Sequence, residues 1–471
     1  VPEGDLAKFF SPKSIAIVGV PRKPDRFGGG SFLNKLVECG FPGKLFPINP
    51  KADEIFGLKA YPHLASLPEA PDLAIVSIAA AAVPHVLEEC ASAGIRHIHI
   101  LSSGFKEIGT DEGARLEERV KQIAAERGLL VIGPNCMGPY CPAAKLTAWG
   151  AIPGKSGPVG IISQSGGITQ RLTEYLYSLG VGTEKAVSIG NAAVLDSPDY
   201  LEYMARDERI RVIAMYLESI ADGRRFFQLV RKITRRKPVV IWKGGESAVG
   251  SQTAASHTGK LAGKPVLWEA LFRQSGITRV RSMNEWVDAI LALCLLPRPE
   301  GKKVFLIGGG GGNSVGNSDT CIREGLDIPR LSEGAMDKLR ETVPVAGSIA
   351  GNPLDMWRIF DDPDYLRDIL ALAYDEPNVD MLIVDRLIPR RAFHMEDRAD
   401  STPQLASFMR NNLFRKPTVI TADSDGGDSD LAAKGAALRA QFTALGIPAF
   451  PSLQRAARAL AHLYDYYARL I

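Results

Sequence analysis

No pair of cysteines stands at C-x-x-C spacing: the six, Cys39, Cys90, Cys136, Cys141, Cys294 and Cys321, are scattered along the chain. That speaks against a zinc knuckle or a disulfide framework and suits reduced thiols in a cytoplasm. Nowhere do about 18 uninterrupted apolar residues occur, so no membrane-spanning helix is expected. The opening VPEGDLAKFF lacks the charged start and apolar run of a secretory leader. Neither sign of charge dominates, since 56 Lys and Arg against 53 Asp and Glu leave +3. With no basic run interleaved with aromatics, neither nucleic acid nor a membrane is an expected partner. No G-x-x-x-x-G-K-[ST] phosphate loop is present. Histidine is scarce, at seven in 471 residues.

What is present repeats. A short β-branched run, a glycine-bearing turn and a segment with helical apolar spacing recur, which is the βαβ signature of a parallel sheet. SIAIVGV, LFPIN, LAIVSI, IRHIHILS and LLVIG supply strands of a first unit, closed by the loop GPYCPAAKLTAWGAIPGKSGP. VGIIS, AVSIG, VIAMYLE and VVIWKGG supply a second, ending near Pro297 and Pro299. VFLIGGGGGNS, MLIVDRLI and PTVITAD supply a third. The expected fold is α/β, three doubly wound domains in series. Ligands of such sheets sit beyond the carboxyl ends of the strands.

The first loop, GVPRKPDRFGGG, is an irregular dinucleotide fingerprint. At the end of the next strand a dehydrogenase places an acid for the ribose hydroxyl; here Asn49, Pro50 and Lys51 stand there. A cation suits the 2'-phosphate of NADP or the 3'-phosphate of coenzyme A, unless Lys51 merely solvates its loop. In the second unit, IISQSGGITQ drives a strand straight into a helix start, where unpaired N–H groups and partial positive charge attract an anion. Ser163, Gln164, Ser165, Gly166 and Gly167 form that turn, and Gly308 to Gly312 with Asn313 repeat the device in the third unit. Either loop is also a sound tight turn with no ligand.

His257 lies in AASHTGKLAG, within a Gly/Ser/Ala/Thr-rich stretch from Gly244 to Gly263 that carries no apolar periodicity. A core histidine has larger apolar neighbours, and loops of this length are commonly functional. A neutral imidazole is a good nucleophile when its other nitrogen is held by a partner. Glu218, at the end of VIAMYLES, is placed for that role. His97 and His99 alternate as strand residues.

SIAIVGV, PINPK, SSGF, GPNCMG, SQSGG, SIGNAAVLD, YLE and SHTGKLAG stand in the order found in NDP-forming acyl-CoA synthetases, relatives of succinyl-CoA synthetase, and the chain resembles that family throughout. The resemblance implies a Rossmann-like CoA-binding domain over 1–140 and a succinyl-CoA-synthetase-like flavodoxin domain with a phosphohistidine loop over 158–297. A third, ligase-type flavodoxin-like domain is implied over 302–471. It implies that His257 is transiently phosphorylated with Glu218 as partner. The phosphate is then held by Ser163, Gln164, Ser165, Gly166, Gly167, Gly310, Gly311, Gly312 and Asn313. CoA contacts map to Gly19, Pro21, Arg22, Lys51, Ser77, Ser102, Ser103, Gly104 and Asn135, and a substrate contact to Gln170. No resident metal is implied in this chain. The family's ATP-grasp domains, which bind ATP or ADP and Mg2+, have no counterpart here, so a separate ATP-grasp β subunit, in an α2β2 assembly, is expected.

Three departures bear on the substrate. Lys260 replaces a serine of the His motif, Trp357 and Arg358 follow a recognisable Gly-Asn-Pro, and Arg386, Arg390, Arg391 and Arg398 cluster in sequence. Arginines of this kind suit a second anionic group on the acid or simply face water. Two rival readings stand beside the ligase: an NADP-dependent oxidoreductase, and a non-catalytic CoA-binding regulatory protein.

Overall fold

The computed structural model describes residues 3–23, 28–147, 149, 156–252, 264–308, 310–343, 349–356, 359, 362–387, 402–423 and 428–470. His257, Lys260, Trp357, Arg358, Arg390, Arg391 and Arg398 lie outside them.

Three main sheets form where the β-branched runs predict them. The first runs Lys44–Ile48, Ser14–Val18, Leu73–Val76, His97–Ile100, Leu130–Ile132 in spatial order, all parallel. The second strand in sequence is outermost and the first lies inside it, so the chain reverses its winding between Ser14–Val18 and Leu73–Val76. That reversal is the switch point at which doubly wound sheets open a crevice. The second sheet repeats the order with Thr183–Ser188, Val159–Ser163, Val212–Leu217, Val239–Lys243 and Thr278–Val280, and gains an antiparallel edge strand, Gly138–Tyr140, beside Thr183–Ser188. The third has Leu354–Asp355, Val304–Gly308, Met381–Leu387, Thr418–Asp423 and Ala449–Phe450, again parallel.

Strands buried on both faces read as continuous apolar runs, and Ser14–Val18, Val159–Ser163 and Val304–Gly308 are buried at every residue. The chain divides into two compact units, 1–177 with 182–279, and 178–181 with 280–471. The first unit holds the first two sheets, which share an apolar cluster containing Ile17, Ile75, Ile132, Ile162, Val187 and Ile241. In the second unit the helix Met283–Leu295, placed by the sequence reading at the end of the second domain, packs on the helix Leu453–Ala468. Arg455 clasps Asp288 between them through two bonds of 2.6 and 2.7 Å. All six cysteines are buried, and none forms a disulfide.

Candidate active site

The carboxyl edge of the first sheet collects every residue assigned to CoA. Gly19, Pro21 and Arg22 follow the strand Ser14–Val18, Lys51 follows Lys44–Ile48, Ser77 follows Leu73–Val76, Ser102, Ser103 and Gly104 follow His97–Ile100, and Asn135 follows Leu130–Ile132. Short bonds tie these loops together: the Ser102 hydroxyl accepts from the Ile78 amide at 2.9 Å, Asn135 N–H donates to the Ser102 carbonyl at 2.9 Å, and the Asn49 side chain donates to the Val20 carbonyl at 2.7 Å. Gly19 has a φ of +90° and its Cα faces the Ser77 carbonyl so closely that a Cβ would collide with it. The three loops around the winding reversal are thereby drawn into one floor. Arg22, Lys51 and Ser103 are exposed in these loops.

Glu107 and Asn191 join this edge to the second sheet. Glu107 Oε1 accepts from the amides of Gly104 at 2.6 Å and Phe105 at 3.1 Å, while its Oε2 accepts from Asn191 Nδ2 at 2.6 Å. The same Nδ2 donates to the buried Glu117 at 2.8 Å. Asn191 lies in the loop after Thr183–Ser188, whose Ile189 amide donates to the Ser163 carbonyl at 2.8 Å.

At Ser163 the chain leaves its strand for the helix Gly166–Ser178. The Ser163 hydroxyl, fully buried, is spent inside the turn, donating to the Ser165 carbonyl at 2.9 Å and accepting from the Ser165 amide at 3.1 Å. Ser165 caps the helix by accepting from Ile168 N–H at 3.4 Å. Gly167 is exposed and a Cβ there would meet nothing within 4 Å, whereas one on Gly166 would run into the Met137 side chain at 2.7 Å. On the Gly167 side the turn has the geometry of an anion site at a helix start. Gln170, one turn on, donates to Glu174 of its own helix at 2.8 Å.

Gln164 does something the sequence did not suggest. Its side chain is buried and clamps the next strand end: Oε1 accepts from the amides of Glu218 at 2.5 Å and Ser219 at 3.0 Å, and Nε2 donates to the Ser219 carbonyl at 3.0 Å. The phosphate-loop candidate thus fixes the backbone of the candidate partner of His257. Glu218 is 6% exposed, and its charge acts on the neighbouring Tyr216 hydroxyl. Burial, then the charge of Glu218, push Tyr216 above its ordinary value and keep it a proton donor. Gly244, where the chain departs toward His257, would bring a Cβ to 3.3 Å from Glu218 Cγ and into the Tyr216 ring. Lys243, just before it, is buried as well. Neither Tyr216 nor Lys243 was singled out in the sequence, although both stand at carboxyl ends of strands, the one positional signal they carried.

In the second unit the helix Gly311–Arg323 starts from Gly310, whose φ is +107°. The Gly310 amide already has an acceptor of its own, Asp355 Oδ1 at 2.6 Å. Gly311, Gly312 and Asn313 remain exposed at the helix start. Asp385, also buried, accepts from Asn317 at 2.7 Å and from the Thr421 hydroxyl. Burial raises the Asp385 carboxyl above its ordinary value against those two bonds. Arg386 donates to the Thr402 hydroxyl at 2.5 Å. Among the described residues no group of three His, Cys, Asp or Glu could hold a metal ion, and no described helix is long and apolar enough to cross a membrane.

Two family models match the chain. The CoA binding domain family matches residues 13–142, and the succinyl-CoA ligase like flavodoxin domain family matches 156–293. The α subunit of acetate–CoA ligase [ADP-forming] I from Pyrococcus furiosus is 34% identical over 98% of the chain and 97% of its own length. Acetate–CoA ligase [ADP-forming] from Methanocaldococcus jannaschii is 36% identical over 73% of the chain but only 48% of its own length. The dinucleotide-forming acetyl-coenzyme A synthetase 1 of Ca. Korarchaeum cryptofilum, solved with phosphate and ADP, superposes with a TM-score of 0.86 at 32% identity, covering 99% of this chain and 97% of that one. A relative matched nearly end to end at this identity, with both domain families in the expected order, places the chain in the family of ADP-forming acyl-CoA ligases, as an α-type subunit.

Proposed function

We propose that the chain supplies the CoA site and the phosphohistidine of an ADP-forming acyl-CoA ligase whose nucleotide site lies on a separate ATP-grasp β subunit. The observation that carries this reading is the buried Glu218, held by Gln164 of the anion loop and packed against Gly244, the root of the segment that bears His257. One buried carboxylate is therefore tied both to a helix start suited to phosphate and to the chain leading to the nucleophile.

In the synthetic direction His257 takes the γ-phosphoryl group of ATP on the partner as ADP leaves; Mg2+ held by the partner would neutralise phosphate charge there. A carboxylate oxygen of the acid then attacks phosphorus, the P–N bond to His257 breaks, and an acyl phosphate forms. The CoA thiol attacks the acyl carbon, phosphate leaves, and a thioester remains. Glu218 accepts the N–H of the other imidazole nitrogen, which fixes the tautomer and stabilises the positive ring while it bears phosphorus. The amides of Gly166 and Gly167 steady the transferring dianion. Each helix start contributes only about 0.3–2 kcal/mol, enough to orient phosphate without trapping it. Every step is reversible, so an acyl-CoA, ADP and phosphate can return ATP. Arg22 and Lys51 meet CoA phosphates, while Ser77, Ser102, Gly104 and Asn135 line the sheet edge along its chain.

Acetate, the acid named in the relatives, is the first substrate to test. The chain with its nucleotide-binding partner and labelled ATP should gain acid-labile, base-stable phosphate that is absent from His257→Ala and acquired far more slowly in Glu218→Gln. Undiminished labelling of H257A would remove the histidine from the mechanism, and full thioester synthesis by the chain alone would remove the partner.

A further inference from the structure

Two sites of this chain must share one small molecule. The acyl carbon is bonded first to a phosphate oxygen and then to the CoA sulfur, so the acid has to lie within reach of both the turn at Gly166 and the thiol brought by the first sheet. The backbone that joins these two edges is short. It leaves the loop after Leu130–Ile132 at Asn135 and enters the second sheet as the edge strand Gly138–Tyr140. Asn135, with a φ of +58°, stands on the CoA edge; Cys136 and Met137 make the crossing.

The connector is held at each of these three residues. The Asn135 amide donates to the Ser102 carbonyl at 2.9 Å, the Cys136 carbonyl accepts from His99 Nε2 at 3.0 Å, and the Met137 amide donates to the Ser188 hydroxyl at 3.3 Å. Ser188 is fully buried and is the register partner of Ser163 on one side and of Gly138 on the other, so Met137 is tied to the strand end from which the anion turn springs. Cys136 is only 5% exposed. Met137 is half-buried, and its side chain lies on that turn: a Cβ added to Gly166 would come within 2.7 Å of both its Cγ and its Sδ. One face of the helix start is thus covered by a thioether, while the next residue, Gly167, is open.

We infer that Met137 is a specificity-determining residue for the acid: its side chain is the wall beside the Gly166 turn against which the acid's chain lies, and it selects monocarboxylates with a short apolar chain. The inference rests on the reading of the Gly166 turn as the phosphate site and of the first sheet's edge as the CoA site. A thioether gives an incoming group apolar, adaptable contact and no hydrogen-bond donor, so this wall has nothing to offer a second carboxylate. Its reach sets how much chain fits. The side chain already touches the first residue of the helix, and shortening it opens space next to the position where the acyl group is made. Because the backbone around it is fixed by three bonds, a substitution changes the wall and not its mounting.

The test compares two acids. The chain with its nucleotide-binding partner, ATP and CoA is assayed for thioester formation from acetate and from 3-methylbutanoate, in wild type, Met137→Ala and Met137→Phe. One methylene more or less in an apolar pocket is worth about 10- to 200-fold in kcat/KM. M137A should therefore raise the 3-methylbutanoate-to-acetate ratio of kcat/KM by about ten-fold or more, chiefly through a lower KM for the longer acid, and M137F should lower it. Phosphorylation of His257 by ATP needs no acid and is followed beside the assay. A ratio that moves in neither variant while His257 is still labelled would overturn the inference and leave the histidine mechanism standing. So would loss of that labelling in both variants, since Met137 would then serve the turn and not the acid, and so would a wild type that makes thioester from neither acid. A wild-type His257 that never takes up phosphate would instead overturn the reading beneath it, and this inference with it.

Discussion

Replacing Gln164 by leucine removes three hydrogen bonds at one stroke and leaves what they served out of reach of water. The Glu218 amide, the Ser219 amide and the Ser219 carbonyl all end on that one side chain, and Glu218 and Ser219 are themselves buried. A stranded buried donor or acceptor costs about 1–3 kcal/mol. Three give about 3–6 kcal/mol after partial relaxation, a large part of the roughly 5–15 kcal/mol that holds a domain together. Urea unfolding followed by tryptophan fluorescence suits the site, because Trp242 and Trp268 lie near it in the same sheet region. Q164L should unfold at clearly lower urea, and its His257 labelling should fall together with that of Glu218→Gln. A direct phosphate contact would behave differently, with labelling lost and stability kept. Unfolding within about 0.5 kcal/mol of wild type, the range of an ordinary surface change, would refute the clamp.

Three further outcomes are expected. Burial lowers His99 to about 4, against its bond of 3.0 Å to the Cys136 carbonyl. The unfolded ring titrates near about 6.5, so the unfolded chain takes the proton first and stability drains as pH falls from about 6.5 toward about 4, by about 3 kcal/mol in all; the stability difference between wild type and His99→Phe should change by that amount across the window, and a constant difference would refute it. Gly167→Ala adds a methyl where nothing lies within 4 Å, so thermal melts should show a chain as stable as before, or more so by up to about 1 kcal/mol, while the methyl obstructs the helix-start amides and slows His257 labelling several-fold. Asn191→Ala frees Glu107 and Glu117 from their shared amide; calorimetry should show CoA binding weakened about ten-fold, the effect of roughly 1.4 kcal/mol, with Gly104 released from its place.

Much of this was readable beforehand because strand ends are marked twice, by the end of a β-branched run and by the glycine or serine that follows. Ser163 and Glu218 were read from such strand ends and Gly19, Ser77 and Ser102 from the family resemblance, and the parallel sheets place all five at their carboxyl edges. Direction of bonding left no such mark. Ser163 and Gln164 look like anion ligands in SQSGG, yet both side chains are consumed by backbone, one within its own turn and one on a strand 54 residues away. Asp355 reads as part of a Gly-Asn-Pro loop, and nothing local announces that it fills the Gly310 amide. Lys243 was hidden by its company, since a lysine between a buried strand and GG looks like the first solvated residue of a loop. The helix Met283–Leu295, buried on nearly every side, carries no apolar stripe to say which sheet it belongs with.

Asn191 gives the first unit a practical grain. A single amide divides its two hydrogens between carboxylates of the neighbouring sheet, one of which carries the loop at Gly104. Anyone grafting a foreign CoA module onto this scaffold must therefore transplant residues 102–117 together with 188–196. A seam cut between them would leave both acids on one side of the join and the amide they share on the other.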